Sequence, residues 1–242
     1  MTLQDKVKNY IPSPVAKEIV KKCQIVLLVG PIGVGKTELK NRLLGSDKFH
    51  HIISHTTRAP RYNHGILEVD GGEYHFIDLK RADELLDNKE FIEAKYINGN
   101  IYGTSINEIK KAIEENKIAI TDIDVQGVDE YKAIDKNVKA FFLLPPDFKT
   151  WQYRIEKRHG DEVKVEDYAE RLKIALSELN ELLNTSNYIA VINNDFEETL
   201  KTITNYLFNK NIKIDDSSAR KLAKSLKLDT EEYLTKILKT VS

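Results

Sequence analysis

The stretch Ile25 to Thr37, IVLLVGPIGVGKT, constrains this chain more than any other. The apolar run IVLLV is long enough for a buried strand and too short to cross a membrane. The pattern G-x-x-x-x-G-K-T follows at once, and TELKNRLLG then reads as a helix that stops near Gly45. Strand, glycine-rich turn and helix start come in the order that a phosphate-binding loop requires. Glycines allow the tight turn. Successive backbone N–H groups and the helix start can then ring a phosphate. The expected binding loop is therefore Gly30, Pro31, Ile32, Gly33, Val34, Gly35, Lys36 and Thr37. Lys36 is placed to reach the β- and γ-phosphates, and the Thr37 hydroxyl to meet Mg²⁺. The loop implies a nucleoside triphosphate and leaves open what is done with it.

Composition excludes several classes. The 242 residues suffice for one large α/β domain or a domain with appendages. The formal net charge of −1 gives no global field for nucleic acid or an anionic membrane. The single cysteine, Cys23, excludes an internal disulfide framework and a multi-cysteine metal site. No signal peptide or membrane-spanning run is evident, and the polar start MTLQDKVKNY leads us to expect a cytoplasmic protein.

Along the chain, residues 1–22 read as a short helical or irregular leader broken by Pro12 and Pro14. FHHIIS is apolar enough for a strand. EVDGGEYHFI reads as a hairpin turning at Asp70-Gly71-Gly72, and EFIEAKYINGNIYGTS as two strands turning at Asn98-Gly99-Asn100. IAITD, KAFFLLPP and YIAVINND are further core strands with helices between them. Strands alternating with helices imply an α/β fold with a mainly parallel sheet covered on both faces. Two helical patterns, DSSARKLAKSLKL and DTEEYLTKILKTV, close the chain, with Asp229 and Glu232 as a capping box for the second. They are expected to pack on the main domain as an extension; the alternative is a small docking or oligomerisation element.

A second informative stretch is Ser54 to Arg61, SHTTRAPR. Arg58 and Arg61 beside hydroxyl residues suit a phosphate monoester, because guanidinium presents a planar donor fork. Tyr74 and Tyr102 can add phenolic donors. Asp122 and Asp124 close a core strand, two apart and so on one side. That position suits Mg²⁺ organisation, directly or through water; the alternative is that they cap the following helix. Arg154 and Arg158, four apart, share a helix face. His50, His51 and His55 lack the further ligands that a metal set would need.

The motifs GPIGVGKT, SHTTRAPR, EVDGGEYHF, EFIEAKYINGNIYGTS, TDIDVQG, FLLPP and INND occur in that order. Together they closely resemble the guanylate kinases, nucleoside monophosphate kinases that phosphorylate GMP with ATP. The resemblance spans roughly residues 23–208 and implies a P-loop three-layer core. It also implies a small β-rich GMP-binding subdomain at about 54–105 and a helical lid at about 148–175, leaving 209–242 as an extension. It implies that Arg58, Arg61, Tyr74 and Tyr102 hold the GMP phosphate, and that Ser54, Glu93 and Thr104 read the base. The chemistry agrees. Guanine carries N1–H and N2–H₂ donors that one carboxylate can accept, and a hydroxyl can donate to O6. AMP would leave Glu93 unpaired.

The resemblance further puts Asp124 near the guanine or ribose, and Asp122 near the loop and the metal. Arg154, Arg158 and Arg171 match lid arginines that, with Lys36 and Arg58, make up the expected catalytic set. They would neutralise the transferring group and exclude water. Asn193 is the candidate beside adenine. The implied cofactor is Mg²⁺ and the implied partners are ATP and GMP. Neither nucleic acid nor membrane is expected, and the protein is expected as a monomer or homodimer. Guanylate-kinase-like scaffold domains that bind without catalysis characteristically lose the phosphate loop, which is complete here. Two departures stand out. The family's R-x-G-E spacing is interrupted, since YNHGIL separates Arg61 from Glu68, and the lid turn RIEKRHGDE carries His159 before Gly160. The GMP-side loop is therefore expected to be longer or differently anchored.

Overall fold

A computed structural model of the chain describes residues 2–63, 65–159, 165–209 and 211–241. The elements run α1 (Leu3–Lys8), α2 (Pro14–Lys21), β1 (Ile25–Val29), α3 (Lys36–Leu44), β2 (Phe49–His51), β3 (His55–Thr56), β4 (Tyr62–Asn63), β5 (Ile66–Leu67), β6 (His75–Phe76) and α4 (Leu79–Asp87). Then come β7 (Phe91–Ile97), β8 (Asn100–Ser105), α5 (Ile106–Glu114), β9 (Ile118–Asp122), α6 (Val125–Ile134), β10 (Lys139–Leu144), α7 (Phe148–His159), α8 (Val165–Asn184), β11 (Ile189–Ile192), α9 (Phe196–Phe208) and α10 (Ser217–Val241).

The central sheet has the strand order β11-β10-β1-β9-β2. β10 with β11 and β2 with β9 pair in parallel. Every residue of β1 is buried, as a strand covered on both faces requires of its continuous apolar run. By internal contacts the chain forms two compact units, each discontinuous in sequence.

The first unit comprises Met1–Val26, Ser46–Thr121 and Asp129–Val138. Its second sheet has the order β6-β3-β8-β7. β7 and β8 form the expected hairpin, with Asn98 (φ 50°) and Gly99 (φ 83°) both in the left-handed region that a tight two-residue turn demands. The leader is ordered into two helices. Pro14 begins α2 instead of ending a helix, because Ser13 Oγ accepts from Ala16 N at 3.0 Å and proline needs no N–H at the first position. Val7 of α1 joins Leu85, Leu86, Phe91 and Ile101 in a small core, and Tyr10 Oη both donates to Phe91 O and accepts from Phe91 N.

EVDGGEYHF does not form a hairpin. Asp70 Oδ1 takes Phe76 N and Gly71 N bonds Tyr74 O, so the loop closes on itself and delivers β6 parallel to β3. The hairpin lies earlier, where β4 pairs with β5.

The second unit comprises Leu27–Gly45, Asp122–Val128 and Lys139–Ser242. Its tail differs from expectation. One helix, α10, replaces two. Asp229 and Glu232 sit inside it because the buried stripe Ala219, Ala223, Leu226 and Thr230 runs through the supposed break at helical spacing. Thr230 Oγ1 satisfies itself on Leu226 O. Arg220 ties this helix to the end of α8, donating to Leu182 O, Thr185 O and Tyr188 O while Asp216 accepts from its Nε.

Candidate active site

In the second unit, β1 ends at Val29 and α3 begins after Gly35, so the loop between them is short and its backbone is forced. Gly30 has φ 128°, and a Cβ there would sit 2.4 Å from Leu143 O. Gly35 is left-handed at φ 96°, and a Cβ would meet Asn193 Nδ2 at 2.6 Å. No side chain caps α3 at Gly35, which leaves its first N–H groups for an anion. Lys36 Nζ donates to Gly30 O and, at 3.0 Å, to Pro31 O. Its ammonium is thus stored on the loop that it serves.

The loop edges a cavity of about 620 Å³, a size suited to a nucleotide. Lys36, Thr37, Asp122, Arg154, Arg171 and Glu178 all line it. Arg154 is held by Asn193 O at 3.0 Å. The side chain of Arg158 and the turn around Gly160 lie outside the described residues.

Several residues outside the motif complete the site. Lys40, one turn into α3, bonds Asp122 at 2.5 Å. Burial alone would raise the Asp122 carboxyl, but Lys40, with Lys36 behind it, outweighs that and holds it below the usual carboxylate range. Trp151 is fully buried and its Nε1 donates to Ile32 O at 2.7 Å, pinning α7 to the loop. Asn193, expected beside adenine, instead spends its Nδ2 on Val34 O at 2.8 Å and braces the loop from behind. Asp124 Oδ1 accepts from Gly127 N at 2.7 Å, the capping alternative.

Glu178 was missed by sequence reasoning. The signal was its spacing of seven from Arg171, two turns on one face of α8. Burial raises its carboxyl above the usual range, against the pull of Lys36.

In the first unit, the register of the second sheet aligns the base-reading candidates. Glu93 of β7 pairs with Thr104 of β8, and Ser54 precedes β3 on the other side of β8. Thr104 Oγ1 donates to Glu93 Oε1 at 2.7 Å and lies 3.1 Å from Ser54 Oγ. Glu93 and Thr104 are both buried.

Beside them, Arg58 makes a two-pronged pair with Glu68, Nη1 to Oε2 at 2.7 Å and Nη2 to Oε1 at 3.0 Å. The Tyr74 ring lies 5.3 Å from the guanidinium carbon, and Tyr102 packs edge-on against Tyr74. Between Arg61 and Glu68, Tyr62 and Asn63 pair antiparallel with Leu67 and Ile66, which returns Glu68 to Arg58. Arg61 N and O both bond Glu68, while the Arg61 side chain is exposed. His64 lies outside the described residues. His75 and His50 face the buried Glu108, which also accepts from Lys111 and Ile53 N. Among the described residues no group of three or more His, Cys, Asp or Glu is arranged to hold a metal ion, and no helix is long and apolar enough to cross a membrane.

Comparison with known proteins gives one answer. A guanylate kinase family model matches residues 22–210. The guanylate kinase of Schizosaccharomyces pombe is 36% identical over 197 residues, covering 80% of this chain and 95% of its own. That of Haemophilus influenzae is 35% identical over 187 residues, covering 76% and 86%. The crystal structure of guanylate kinase from Anaplasma phagocytophilum matches with a TM-score of 0.54 at 25% identity, covering 79% of this chain and 87% of that one.

Proposed function

This chain belongs to the guanylate kinase family and is a nucleoside monophosphate kinase, and we propose that the residues above carry out its transfer of the ATP γ-phosphoryl group to GMP. The observation that carries the residue assignment is the hydrogen-bonded Ser54–Thr104–Glu93 set, with Thr104 and Glu93 buried, present in the same chain as a complete phosphate loop. Glu93 accepts the N1–H and N2–H₂ donors of guanine and Thr104 donates to O6. Arg58, Arg61, Tyr74 and Tyr102 hold the acceptor phosphate, with Glu68 aiming Arg58. The loop and Lys36 bind the β- and γ-phosphates of ATP.

An oxygen of the GMP phosphate attacks the γ-phosphorus in line, the bond to the β,γ-bridging oxygen breaks, and ADP leaves. Catalysis rests on positioning and on charge. Arg154 and Arg171, with Arg158, neutralise the oxygens of the transferring group. Mg²⁺ fits the donor set, since the Thr37 hydroxyl and an Asp122 carboxylate kept ionised by Lys40 line one cavity and are hard oxygen ligands. Asp122 already engages Lys40, so its part is through water. When bound, the ion neutralises charge across the β- and γ-phosphates. The lid begins later than residue 148 in this reading, because Trp151 and Ile155 are buried. We further propose a cytoplasmic enzyme of purine nucleotide metabolism, acting as monomer or homodimer without nucleic acid or membrane.

The test is ADP release from ATP and Mg²⁺ with GMP, dGMP, AMP, IMP and UMP in turn, beside Lys36→Ala. Turnover with GMP far above AMP and lost in the variant is expected. A folded protein with no turnover on any acceptor would overturn the reading.

A further inference from the structure

Glu108, in the first turn of α5, is only 2% exposed, and nothing in the proposed transfer uses it. Both of its oxygens accept hydrogen bonds, and the donors come from separate segments. Oε2 accepts from Ile53 N at 3.2 Å. Oε1 accepts from Lys111 Nζ at 2.8 Å and lies 3.2 Å from His75 Nε2. Burial alone would raise the carboxyl, but Lys111, the Ile53 N–H and His75 outweigh it and hold it below the usual carboxylate range. An ionised carboxylate only accepts, so the His75 ring presents an Nε2–H to it.

Each anchored residue has a neighbour in the acceptor site. Ser54, a base reader, follows Ile53, and Tyr74, a phosphate donor, precedes His75. His75 N also bonds Ser54 O at 2.9 Å, so the two segments run side by side. Successive side chains of an extended chain point to opposite sides. Anchoring the His75 ring on Glu108 therefore turns Tyr74 the other way, where it packs on Tyr102 and beside the Arg58 guanidinium. Resting on the functional reading above, we propose that Glu108 is a positioning residue for the GMP site: one buried carboxylate fixes the base-reading segment through Ile53 and the phosphate-holding segment through His75, so that GMP meets both ends of its site already placed. Such preorganisation raises affinity by removing an ordering cost from binding.

Two variants of the full chain separate the arms, with KM for GMP and ATP, kcat, and inhibition by guanosine, which lacks the phosphate. His75→Phe keeps a ring against His55 and removes the Tyr74 arm alone. KM for GMP should rise about fivefold, the worth of one hydrogen bond, while guanosine inhibition, KM for ATP and kcat hold. Glu108→Leu removes both arms. KM for GMP should then rise about tenfold or more and guanosine inhibition should weaken about fivefold, with kcat at saturating GMP unchanged. An unchanged KM for GMP in His75→Phe overturns the proposal whatever the melting temperatures do, and that result needs no folded Glu108→Leu protein. So does guanosine inhibition that weakens in His75→Phe as much as GMP binding does, which marks a general loosening of the unit. A wild-type protein that neither binds nor turns over GMP would instead remove the reading on which the proposal rests.

Discussion

At the scale of single residues, the pair Arg58–Glu68 is the sharpest case. Both side chains are buried, 8% and 9% exposed by residue, and each is the other's main compensation. Removing the carboxylate leaves a buried cation unpaired, which typically costs about 3–5 kcal/mol. Glu68→Ala should therefore melt roughly 10 °C lower and bind GMP weakly. The double variant Arg58→Met with Glu68→Leu should recover much of the stability and none of the GMP binding, because two apolar groups leave no charge behind. Thermal denaturation followed by circular dichroism, with a GMP titration, checks both. A Glu68→Ala protein melting within a degree of wild type would show that water reaches the pair. Residues inside a motif were legible because the motif sets their neighbours: Gly30 to Thr37 lie where the loop pattern put them. Lys40, Trp151 and Glu178 were not, since what they touch arrives from other segments. Glu68 looked displaced by the interrupted spacing only because the sequence does not show that β4 pairs with β5 there.

At the scale of elements, core strands were readable and the tail was not. IVLLV, IAITD and KAFFLL are apolar runs of strand length, and burial on both faces leaves little choice. The tail offered a capping signal at Asp229 that helical continuity overrode, because a buried stripe outweighs one cap. What fixes α10 is Arg220, which serves three carbonyls at and just beyond the end of α8. Hydrogen bonds from a charged donor are the stronger kind, but this side chain is 26% exposed and water can replace part of them. Arg220→Ala is expected to cost about 2 kcal/mol and lower the melting temperature by roughly 5 °C. Arg220→Lys should recover little, because a point charge cannot fork to three acceptors. Turnover at 25 °C should not change in either. If the alanine variant melts like wild type, α10 is held by its apolar stripe alone.

At the scale of the whole molecule, the two units are not legible from chain order, since each gathers three separated segments. Stability against pH is a property of the whole chain, and the structure sets its sign. His55 packs against His75 at 4.8 Å and Phe91 at 5.9 Å, with its Nδ1 sealed and, among the described residues, without a hydrogen-bond partner. Burial first, then the nearby His75, lowers its pKa to about 4, with Glu108 opposing and Arg81 and Lys111 adding to the shift. The folded pKa lies below the unfolded value of 6.5. Its contribution is therefore complete above pH 6.5 and is lost as pH falls from 6.5 through about 4, while the unfolded chain takes up a proton that the folded chain refuses. Glu178 acts in the opposite sense, because its raised carboxyl favours the folded state as pH falls toward the ordinary carboxylate range. The difference between wild type and His55→Phe isolates the histidine. Urea unfolding from pH 8 to pH 4.5 should give a wild-type curve that steepens below pH 6.5, by at most about 1.4 kcal/mol per pH unit. The variant should be flatter over the same window and as stable as wild type, or more so, at its acid end. Parallel curves would mean that His55 titrates in the folded protein as freely as in the unfolded one, and that its burial does not govern the acid limb.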